Sequence, residues 1–169
     1  MLRVIGAVMV IAGAGSFGIS RAAQLYKTAR QLRELNTAVE MISCEMNYTL
    51  LPLPELYHGV GDRLNGAVSQ FFRLLGNQLE QGIPRARAAR RAMELTTHLR
   101  LPNDAKMALL ELCETLGRYD MDGENRMLRL SGQRIAAALE RCEAEKRPLA
   151  RSCAALGISA GIALAILML

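Results

Sequence analysis

Residues 21–46 read RAAQLYKTARQLRELNTAVEMISCEM. Leu25, Leu32, Leu35, Val39, Ile42 and Met46 recur at alternating steps of three and four, with Thr28 in the one position left open. A helix turns once in 3.6 residues, so this spacing gathers the apolar side chains into a single stripe. A stripe that regular suits packing along another helix. The stretch therefore predicts a long helix with one buried seam and points to an all-α protein.

The same period continues downstream, and strand signals are almost absent. Pro52 and Pro54 stop the first helix, because the residue before a proline resists the helical region. A short helix is expected over about 54–64. Val68, Phe71, Phe72, Leu75 and Leu79 mark the next, closed by Gly82. Pro84 opens a fourth at its first helical position. Asn103 is expected to cap a fifth, with Met107, Leu110 and Cys113 on one stripe, Leu109 and Leu116 beside it, and Gly117 as its left-handed terminator. A last helix starts near Asp122 and runs through Leu128, Ile135, Leu139 and Cys142, with a kink expected at Pro148. The expected fold is all-α, a bundle of about six helices.

Composition adds the setting. Of 169 residues, 51% are hydrophobic and 22% charged, so the apolar residues must be unevenly placed. VIGAVMVIAGAGSFGIS (4–20) has no charge between Arg3 and Arg21, and SCAALGISAGIALAILML (152–169) has none after Arg151. As helices these runs measure roughly 25–27 Å, against a hydrocarbon core of about 30 Å. Arginines at their edges can close the difference by reaching to the interface. The expected domains are an N-terminal transmembrane helix at 1–20, a helical domain at 21–151 and a C-terminal transmembrane helix at 152–169. Arg21, Lys27, Arg30 and Arg33 follow the first run, and Arg141, Lys146, Arg147 and Arg151 precede the second. Basic flanks stay in the cytoplasm, which places the middle domain there. A rival reading takes Ala12-Gly13-Ala14 as a signal-peptidase site and gives a secreted protein.

The motifs of catalysis are sparse. CETLGRYDMDGEN (113–125) crowds acids around one glycine. Starting a calcium loop at Asp120 puts Asn125 at the glycine position and Ser131 at the final glutamate position, so the pattern fails. Glu114 closes one helix while Asp122 and Glu124 open the next, where the helix dipole favours acids without any catalytic role. A membrane-anchored enzyme using the carboxylates near Asp120 is the alternative. Cys44, Cys113, Cys142 and Cys153 show neither a zinc nor a disulfide spacing and are expected to be buried. No carboxylate pattern near His58 or His98 suggests a metal pair, and there is no P-loop, GxGxxG or GxSxG. No cofactor and no metal are expected.

One basic stretch stands out, PRARAARRAMELTTHLR (84–100), with five arginines against Glu94. Arg87, Arg90 and Arg91 share a helix face, and Glu94 is placed to pair with Arg90. The face is either a solvated surface or a dock for an acidic partner or anionic lipid headgroups. Nucleic acid is not expected, because no aromatic residue lies in the stretch.

MLRVIGAVMVIAGAG at the start, EMNYTLLPLPEL after the long helix, ETLGRYD, and ALGISAGIALAILML at the end together resemble the stage III sporulation protein AB family. The most specific parts are Tyr48 to Glu55 and the pattern Leu116-Gly117-x-x-Asp120. Cys113 departs from it, standing where a small glycine is expected. The resemblance implies a non-catalytic platform in a secretion-like channel between mother cell and forespore, needed for endospore development. It implies a cytoplasmic domain similar to that of the type II secretion inner-membrane platform protein. The implied location is the mother-cell side, in the outer forespore membrane, with two spans. The implied partners are a cytoplasmic ATPase, other membrane components of the apparatus and the lipid bilayer; a homo-oligomer stays open. The residues expected to meet a partner are Arg87, Arg90 and Arg91 on the basic face, and Glu114, Gly117 and Asp120 at the turn.

Overall fold

In the computed structural model the backbone is described over residues 2–48, 51–118 and 120–168, and the side chains over 23–48, 51–118 and 120–145. The described residues form six helices and no strand: α1 Leu2–Tyr48, α2 Leu53–Arg63, α3 Gly66–Glu80, α4 Arg85–Leu95, α5 Asn103–Thr115 and α6 Met121–Met168. The all-α expectation and the helix order are borne out. Among the described residues no helix is long and apolar enough to cross a membrane. The apolar runs at 4–20 and 152–169, Cys153 and the expected kink at Pro148 lie outside the residues whose side chains are described.

The chain divides into two compact units. One gathers residues 1–27 and 141–169, and the other is Thr28–Glu140. In the first, the Cys142 thiol donates to the Leu25 carbonyl at 3.6 Å.

The second unit is built around the expected seam. Leu32, Leu35, Val39 and Ile42 are buried, and Ala29, rather than Thr28, fills the gap in the stripe. Opposite them, Leu128, Ser131, Ile135 and Ala138 of α6 repeat the steps of three and four. The two helices run antiparallel here. The Asn47 and Asn125 amides bond reciprocally at 3.2 and 3.1 Å, and a Cβ at Gly132 would stand 3.7 Å from Val39 Cγ1. The amide pair lies on the exposed side of the seam and joins the end of α1 to the start of α6.

The α2–α3 hairpin closes tightly on small residues. A Cβ on Gly61 would lie 2.7 Å from Arg73 Cγ and 3.2 Å from the Ser69 carbonyl oxygen. Ser69 Oγ uses the closeness, donating to the Gly61 carbonyl at 2.6 Å. Along the same crossing the His58 ring lies over Gly76, and its Nε2 is 3.2 Å from Glu80 Oε1. Tyr57 stacks on Phe72, which meets Phe71 edge-on, so the aromatic residues concentrate in this corner of the core.

Several local expectations are corrected. Asn103 is the first residue of α5, not its cap: Pro102 stands at the cap with extended backbone, and its carbonyl takes the first helical bond from Lys106 at 2.9 Å. Pro84 likewise lies one position before α4. Met107 is 64% exposed; the inner face of α5 is Ala105, Ala108, Leu109, Leu112, Cys113 and Leu116. Alanines on that face let neighbouring helices approach, which leaves the long methionine outside. Cys113 and Cys142 are buried as expected, but Cys44 is exposed, because it falls off the α1 seam.

Candidate functional site

The strand-free core leaves two surfaces to consider: the outer face of α4 and the corner between α5 and α6. The α4 face is set up by the end of α3. Gly82 has a φ of +74°. Its N–H donates to Leu79 O at 2.9 Å, and Ile83 N–H donates to Gln78 O at 3.1 Å. This is the Schellman closure of a helix, which glycine permits because it carries no Cβ. The closure turns Ile83 and Pro84 back beside the first turn of α4.

The inner side of α4 is Ala88, Ala89, Ala92 and Met93, all buried. Arg87, Arg90 and Arg91 therefore all point outward, and all are exposed. With Gly82, Ile83, Pro84 and Glu94 they line an open groove of about 510 Å³. The expected Arg90–Glu94 pair is not formed. Arg90 reaches α5 instead, where its Nη2 and Nε lie 3.3 Å from Glu114 Oε1. Among the described residues Arg87, Arg91 and Glu94 have no hydrogen-bond or ion-pair partner.

The α5–α6 corner accounts for the Leu-Gly-x-x-Asp pattern. Leu116 has φ −55° and ψ 130°, Gly117 has φ +80°, and Arg118 N–H donates to Thr115 O at 3.1 Å. Those angles make a type II turn, which requires a positive φ at its third residue. The Leu116 carbonyl is satisfied by Arg85 Nη1, from the first turn of α4. A Cβ on Gly117 would come within 3.0 Å of that same Nη1 and 3.1 Å of Leu53 Cδ1. Asp120 then caps α6, since its Oδ1 accepts the Gly123 N–H at 3.2 Å and its carbonyl accepts the Glu124 N–H at 3.0 Å. Arg85 gave no local signal in the sequence, because its partner lies 31 positions away.

The carboxylates at the corner do not converge on one cleft. Asp120 is committed to the cap, Asp122 faces solvent, Glu124 is buried and Glu114 holds Arg90. Among the described residues no group of His, Cys, Asp or Glu is placed to hold a metal ion. The most perturbed groups are in the core. Burial pushes the Cys113 thiol up to about 12, with the neighbouring Tyr57 hydroxyl pulling the other way. Burial, and then the Cys113 side chain, push the Tyr57 phenol well above its ordinary value. Both groups are held neutral, and the thiol is a poor nucleophile in that state.

A family model described as Stage III sporulation protein AB matches residues 3–169. The chain belongs to the stage III sporulation protein AB family. It is similar to Stage III sporulation protein AB of Bacillus subtilis (strain 168), with 25% identity over 174 residues and all of both chains covered. A solved structure of a Stage III sporulation protein AB shares the fold with a TM-score of 0.66 at 22% identity, covering 72% of this chain and 98% of that one. The protein is thus a member of a sporulation family, and its described residues form a helical bundle.

Proposed function

We propose that the chain is a non-catalytic platform anchored in the mother-cell membrane around the forespore, with two spans and a cytoplasmic helical domain at 21–151. In this role it couples a cytoplasmic ATPase to the membrane components of a secretion-like channel. The observation that carries the reading is the extent of the family match, from residue 3 to residue 169. Both charge-free runs and their basic flanks fall inside it, so they belong with the helical domain as parts of one family chain. A charge-free run of this length bordered by arginines is stabilised in a bilayer and biased to leave its basic flank in the cytoplasm. The α4 face supports an assembly role, because two of its cations, Arg87 and Arg91, are not paired within the fold among the described residues.

Photo-crosslinking in sporulating cells tests this. A photoreactive residue replaces Leu95, which is 50% exposed at the end of α4. The expected adduct is with the ATPase of the apparatus or a neighbouring membrane component. Adducts restricted to proteins outside the apparatus would overturn the platform reading.

A further inference from the structure

Arg90 and its two neighbours look equivalent in sequence, but the fold separates them. Arg90 is held by Glu114 across α4 and α5. Arg87 and Arg91 remain unpaired among the described residues, on the wall of the same groove. They lie four residues apart, about 6 Å along the helix axis. Ile83, half-buried, and Pro84, exposed, form an apolar border at one end, while Glu94 stands at the other. The groove therefore presents a fixed order of chemistry: apolar, positive, positive, negative.

We propose that this groove receives an acidic segment of a partner protein carrying the complementary order: an apolar anchor, two carboxylates about one helical turn apart, then a cation. The proposal rests on the platform reading above and names the chemistry of the partner's contact. The apolar side chain seats on Ile83 and Pro84, the carboxylates meet Arg87 and Arg91, and the cation meets Glu94. Glu94 also selects against other anions. A uniformly negative lipid surface would bring like charge against its carboxylate, whereas a segment with a cation at that end pairs with it. Glu114 contributes indirectly: its contact partly neutralises Arg90, which also lines the groove, so the two uncompensated cations are Arg87 and Arg91.

The test uses the full chain in nanodiscs of zwitterionic lipid and a fluorescent synthetic helical peptide. The peptide carries Leu, Glu, Glu and Lys at successive one-turn intervals, and a control exchanges the Lys with the first Glu, keeping the composition. Saturable binding is expected for the first peptide and about tenfold weaker binding for the control, a difference of about 1.4 kcal/mol. Arg87→Glu combined with Arg91→Glu should lower affinity about tenfold or more and flatten its salt dependence, with the melting temperature unchanged. Arg90→Gln should change affinity less than about threefold, since that arginine is already engaged. Equal binding of the two peptides, absence of saturable binding, or indifference to the double substitution would each overturn the proposal. So would the chain binding anionic vesicles through Arg87 and Arg91 without discriminating the peptides, which would assign the face to a membrane surface. An intact ATPase adduct together with failed peptide discrimination removes the groove and leaves the platform standing; the converse removes the platform alone.

Discussion

Gly61 should be the most informative single glycine. It lies within α2 where α3 crosses, and an added Cβ would stand 2.7 Å from Arg73 Cγ, 3.1 Å from Arg73 N and 3.2 Å from the Ser69 carbonyl oxygen. The Arg73 side chain can swing aside, but the other two atoms are backbone, so the helices themselves must separate. Overpacking of this kind costs about 1–3 kcal/mol. Separation also stretches the buried Ser69–Gly61 hydrogen bond, now 2.6 Å, which is worth about 1 kcal/mol. Against this, alanine is preferred over glycine in a helix by about 1 kcal/mol. The expected net effect of Gly61→Ala is a loss of about 2 kcal/mol, or about 5–10 °C in melting temperature for a unit of this size. Gly59, two residues earlier on the same helix, meets nothing within 4 Å. Gly59→Ala should keep the propensity gain and stabilise by about 0.5–1 kcal/mol. Thermal unfolding followed by circular dichroism on the full chain in detergent micelles compares the two. A Gly61→Ala protein that melts with or above the Gly59→Ala protein would refute the close crossing.

Val39→Asp should be severely destabilising, by several kcal/mol, because Val39 is 5% exposed in the α1–α6 seam and a carboxylate there would leave water; an unchanged melting temperature would mean that the seam faces water. Alkaline pH should erode stability: the folded-state value of Cys113 is raised from 9.0 to about 12, so its contribution is complete below about pH 9 and disappears as pH rises towards 12. Tyr57, also raised, acts in the same direction, and a Cys113→Ala protein should show a shallower decline in chemical denaturation between those limits. At pH 8, iodoacetamide should label the exposed Cys44 and spare Cys113 until the protein unfolds. Reporter fusions at both termini should read the non-cytoplasmic side and an insertion near Gly82 the cytoplasm; a cytoplasmic C-terminus would refute the two-span proposal.

Much of the fold was legible because helices declare themselves locally. The α1 seam, the proline stop after it, the Gly82 closure and the Gly117 terminator follow from spacing and from the φ values that glycine tolerates. The errors lie where local signals compete. Asn103 is a favourable cap, yet Pro102 takes the cap position because its fixed φ and extended ψ suit the residue just before a helix. Met107 matches the period of an inner stripe, yet the alanines of α5 offer a closer approach and turn that residue out to solvent.

The candidate site was legible only as a set of residue types. Sequence by itself determined that three arginines share one face of α4, since helical spacing alone puts them there. It did not determine which of them the fold would use. That depended on Glu114, 24 positions from Arg90 and brought alongside by the packing of α5. Arg85 satisfies Leu116 for the same reason, across 31 positions. A repeating backbone of fixed rise makes neighbours along a helix predictable from their numbers. Partners across helices are set by how side chains of unequal size fill the space between them, and no local pattern encodes that sum.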